Sequence, residues 1–97
     1  MISLEDMVGM SGLSEEEILA IAEHEHIPPS VATNLGAYLS SDHTGLSRVR
    51  DMIIDDIRIA QAEGNVAHER ELLHVLHHFL RENPDERPDA HPWSALF

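Results

Sequence analysis

The sequence predicts an all-α protein: a small bundle of three main helices plus a short N-terminal helix, with an antiparallel helical hairpin and an extended C-terminal tail. Three observations carry this prediction. Apolar residues recur at intervals of three and four along successive segments. No segment alternates apolar and polar residues as a half-buried strand does. Start and stop signals for helices separate the segments.

Each element can be justified in order. Ser3 to Met10 gathers Leu4, Met7 and Val8 on one side, which predicts a short helix ending near Ser11-Gly12. Ser14 and Glu17 form a capping box, and Glu15 and Glu16 add negative charge that suits a helix N-terminus, so a helix is expected over 14–26. Pro28 stops it. Pro29 fits the first turn of a helix over 29–40, whose stripe is Val31, Leu35, Tyr38 and Leu39; Gly36 weakens that helix. The loop SSDHTG at 40–45 offers Asp42 and Thr44 as caps.

The longest pattern follows, from Leu46 to Glu63, with Leu46, Val49, Ile53, Ile57 and Ala60 in the stripe. Met52, Ile54 and Ile59 widen it and predict a second packing partner. Gly64-Asn65 closes this helix and caps the next, 66–82, so the two form the hairpin. Asn83-Pro84 ends the helical domain, residues 1–83. Residues 84–97 form a Pro-rich tail whose Trp93, Leu96 and Phe97 are expected to dock on their own domain or on a protein partner.

Composition excludes several classes of function. Eighteen Asp and Glu against six Arg and no Lys give a net charge of −12 with the eight His neutral, a field that repels nucleic acid and anionic membranes. No run approaches the roughly twenty apolar residues of a spanning helix. The N-terminus has acids where a secretion signal carries basic residues, so a cytoplasmic location is expected. Without Cys there is no disulfide and no thiolate ligand, so any metal must be held by carboxylate and imidazole. Gly-x-Ser-x-Gly and Gly-rich phosphate loops are also missing.

The remaining chemistry is a set of polar residues at positions where a helical wheel expects apolar ones. On the 14–26 helix these are Glu25 and His26, with Glu23 at the edge and His24 pointing away. On the 46–63 helix Asp56 flanks the stripe while Asp55 faces solvent. On the 66–82 helix Glu69 continues the stripe, with His68 and His77 on its margins. Acids on three helices, with imidazoles beside them, can converge on a cation; Glu23, Glu25, His26, Asp56, His68 and Glu69 are the candidate ligands, and iron is the first candidate ion. Simpler roles stand beside this one. Glu25 and His26 occupy a helix C-terminus, Glu69 a first turn, and Asp56 can pair with Arg of its own helix. His74, His77 and His78 can form a solvated face.

Glu23-x-x-His26 in AEHEH and Glu71-x-x-His74 in ERELLH place a Glu and a His on one helix face. In these motifs, and in its helical character, the chain resembles the ferritin-like di-iron carboxylate proteins. The resemblance implies iron, Fe(II) oxidation or redox storage, and a half-bundle completed by a second copy in a homodimer. Glu71 and His74 fall on the outer side of their helix, where either a dimer partner meets them or the spacing is fortuitous. The segment IAEHEHIP is similar to one in short, uncharacterised bacterial proteins, a likeness that implies no activity. The rival expectation is a non-catalytic structural or protein-interaction module.

Overall fold

The structure, a computed structural model, describes residues 4–87. Its elements are α1 (Leu4–Ser11), α2 (Glu15–Glu25), α3 (Pro29–Leu39), α4 (His43–Glu63), α5 (Val66–Glu82) and a 3-10 turn at Pro84–Glu86. The protein is all-α, with no strand among the described residues. Among the described residues, four longer helices follow short α1, one on each of the four segments expected to be helical. The tail from residue 88, with Trp93, Leu96 and Phe97, lies outside the described residues.

The local signals act as the sequence implies. Ser14 accepts the Glu17 amide while the Glu17 carboxylate accepts the Ser14 amide at 2.8 Å, completing the capping box. Pro29 opens α3. Asp42, not Thr44, caps α4 by accepting from the Gly45 amide, so that helix starts three residues before Leu46. Gly64, in the left-handed conformation, closes α4, and Asn65 caps α5 through the His68 amide, leaving α4 and α5 as the most extensively paired helices.

The core is built from Ile18 and Ile21 of α2, Ala32 and Leu39 of α3, Val49, Ile53 and Ile57 of α4, and Leu72, Leu76, Phe79 and Leu80 of α5. Two stripes differ from expectation. In α3 the buried face is Ala32, Thr33, Gly36 and Leu39, while Val31 and Tyr38 are exposed. The reason is spacing: α3 packs against α1, α2 and α4 at once, and only small residues allow that approach. In α4, Ile59 is exposed although it is expected to widen the buried face; Leu19 of α2 is exposed as well.

Two buried carboxylates tie the bundle together. Glu17 reaches His78 of α5 at 3.3 Å in addition to its capping role. Glu86 is fully buried at the start of α4, accepting from Ser47 Oγ at 3.0 Å and contacting the His43 ring, while Arg50 donates to its backbone carbonyl. The 3-10 turn is thereby fixed to the helical domain.

Candidate functional site

Where α2 ends, α4 passes beneath it and α5 begins beside it, so the last turn of α2, the last two turns of α4 and the first turn of α5 surround one hollow. It measures about 230 Å³ and is lined by Glu23, His24, His26, Asp56, Ile59, Ala60, Glu63 and His68. Four of the six residues singled out as ligands, Glu23, His26, Asp56 and His68, therefore share one site. The other two do not. Glu25 is exposed, 3.9 Å from His24 Nδ1, and Glu69 accepts from Gln61 Nε2 at 3.0 Å across the hairpin.

Asp56 is the interior member of the group, with only 8% of its surface exposed. Its location on α4 follows from the stripe: it sits one residue before Ile57 and three after Ile53, among side chains that must face the core. Burial pushes its carboxyl pKa up. The His24 ring opposes that rise, while the nearby Glu23 carboxylate, a hydrogen bond with Glu23, and Asp55 add to it. Asp56 Oδ2 makes no hydrogen bond. The pairing with Arg of its own helix is replaced by these contacts with α2.

The imidazoles complete the rim. His68 Nε2 lies 2.6 Å from Glu23 Oε1, and its Nδ1 lies 3.6 Å from Glu71. His24 Nε2 stands 3.5 Å from Asp55, and its buried Nδ1 makes no hydrogen bond. The wheel had turned His24 and Asp55 away from the site, yet α4 crosses on the side of α2 that carries His24. A signal was available, since His24 follows Ala20 and Ile21 at four and three residues. Glu63, seven residues beyond Asp56, also escaped the sequence reading.

His26 occupies an unusual position. It adopts φ 56°, ψ 47°, the left-handed conformation in which a helix normally ends on Gly. Its amide donates to Glu23 O and that of Ile27 to Ala22 O, the two bonds of a Schellman ending. A side chain held in that conformation beside a polar hollow is a constrained residue at the site's edge. Among the described residues, no group of three or more His, Asp or Glu is placed to hold a metal ion as the side chains stand.

Fold and site together define a class, an all-α protein with a carboxylate–imidazole cluster at the junction of three helices. No family model, curated protein or solved structure matches the chain. No described helix is long and apolar enough to cross a membrane.

Proposed function

We propose that this hollow binds a divalent transition metal ion, with Fe(II) as the first candidate, and that the protein handles metal ions. The observation that carries the reading is Asp56, a carboxyl nine-tenths buried that keeps one oxygen without a hydrogen-bond partner at a hollow also lined by Glu23, His24 and His68. Asp56 and Glu23 set two acids side by side, and a divalent cation between them relieves their mutual repulsion. Carboxylate oxygen with imidazole nitrogen suits Fe(II), Mn(II) or Zn(II) and gives no advantage to Cu(I). Asp56, Glu23 and His68 are the proposed ligands, with His24 or His26 as a fourth. His68 and the two acids must turn toward a common point for this to occur. Glu25 and Glu69 have no part in it.

The proposed site lies within one chain. The homodimer implied by the ferritin-like resemblance is a separate proposal, read by sedimentation equilibrium with and without metal.

The test uses the full chain without a His tag, stripped with chelator and titrated anaerobically with Fe(II) and with Co(II), whose visible absorption reports coordination. One equivalent bound by the wild type and lost in Asp56→Ala and Glu23→Ala supports the proposal. Equal binding by wild type and both variants assigns the metal to surface imidazoles such as His74 and His78 and sinks it.

A further inference from the structure

Beside the hollow, α2 and α5 leave a second opening between them. The two helices touch each other far less than α4 and α5 do, and the gap holds a groove of about 450 Å³. Its walls are regular. Glu16, Leu19, Ala20 and Glu23 line it from α2, and His68, Glu71, Leu72 and Val75 from α5, so each helix contributes residues at i, i+3, i+4 and i+7, with His74 of α5 added outside that register. That is the face one helix offers another in a bundle. The floor is apolar, with Leu19 46% exposed although it lies among the core residues of α2. Glu16, Glu23 and Glu71 stand along the rim.

We infer that this groove is a docking site for an amphipathic helix with a basic flank, supplied by another protein. The geometry sets the length: eight residues of wall on each side, Glu16 to Glu23 and His68 to Val75, span about 10 Å, or two turns of the incoming helix. The rim sets the charge. An apolar floor bordered by carboxylates, on a chain of net charge −12, favours Leu-type anchors flanked by Lys or Arg. A second copy brings another −12 to the same rim, and the chain beyond Arg87 offers apolar Trp93, Leu96 and Phe97 but one Asp and no Lys or Arg. Neither supplies the basic flank that the rim favours. Glu23 and His68 also belong to the hollow, but the inference does not rest on metal binding.

The experiment measures fluorescence anisotropy of two labelled helical peptides with the same Leu anchors, one flanked by Lys and one by Glu, against the full chain in chelator. The basic peptide should bind with micromolar affinity, about tenfold or more tighter than the acidic one, and lose affinity as salt rises. Leu19→Glu, at an exposed position that leaves the fold intact by circular dichroism, should weaken it roughly tenfold. Glu16→Lys with Glu71→Lys should move the preference toward the acidic peptide. Equal binding of both peptides, binding of neither, or indifference to Leu19→Glu overturns the inference. So does a wild-type dimer that Leu19→Glu dissolves, which assigns the groove to a second copy. Binding that appears only after deletion of residues 88–97 assigns it to the tail and overturns it equally.

Discussion

Glu23 and His68 stand 45 residues apart in the chain, and their side chains meet at 2.6 Å. The contact joins the last turn of α2 to the first turn of α5, two helices that otherwise touch little. It also divides the hollow from the apolar groove, since both residues line both. Both side chains are partly exposed, so the pair adds little to stability, about 1 kcal/mol at most. Its importance lies in orientation: the pair holds two donor groups beside Asp56. Glu23→Gln and His68→Gln should each weaken Co(II) binding by roughly tenfold or more while leaving the urea midpoint nearly unchanged. A large drop in midpoint without loss of metal affinity would make the pair a structural clasp only.

Asp56 links stability to pH. Its folded-state pKa lies above the ordinary 3.8, so the native protein holds a proton that the unfolded chain has already released. Stability therefore falls as pH rises from 3.8 through the raised value, and above that value the buried charge remains a cost. Asp56→Asn removes the titrating group and keeps the shape. In metal-free protein it should flatten this decline and be at least as stable as the wild type at neutral pH. Urea denaturation at stepped pH reads both effects. An unchanged slope would show that Asp56 stays charged in the folded protein throughout.

His26 offers a separable test of strain. At φ 56° a side chain crowds the backbone, and Gly does not. His26→Gly should raise the stability of metal-free protein by about 1 kcal/mol, seen as a higher urea midpoint. If His26 supplies a ligand, the same variant binds Co(II) less tightly, so stability and affinity move in opposite directions. A fall in both would mean that the ring packs against the fold.

Gly45 sits in the first turn of α4, where a Cβ would collide with the Leu39 carbonyl at the end of α3. The obstacle is backbone, which cannot swing aside as a side chain can. Gly45→Ala should therefore cost about 2 kcal/mol or more, although Ala is the better helix former. Chemical denaturation checks it, and a neutral result would show that the α3–α4 corner is free to open.

Much of the fold was legible in short stretches of chain. The Ser14–Glu17 box, Pro29 and the Gly64-Asn65 junction act through bonds that close within a few residues, so their meaning does not depend on distant neighbours. Asp56 was legible for a similar reason, as a charged residue between core positions of a long stripe. The wheel failed at the ends of helices. It placed Glu25 and His26 inward by angle, but α2 stops at Glu25, and His26 leaves the helical path. It turned His24 outward because the sequence does not say on which side of α2 the crossing helix lies. Glu69 continues the apolar stripe on the wheel, yet its partner is Gln61 on the neighbouring helix at the hairpin's outer edge.

By itself the sequence determined that the chain is helical, where its helices start and stop, that its charge is acidic, and that carboxylate and imidazole are the strongest donors it can bring to a metal. Those properties are set by local hydrogen bonding and by composition. Only the tertiary structure decided that Glu23, His24, Asp56 and His68 line one hollow while Glu25 and Glu69 do not, and that Leu19 faces a groove instead of the core. The physical reason is that burial depends on where neighbouring helices cross and how far they extend, and those distances arise from side chains packing across the whole bundle.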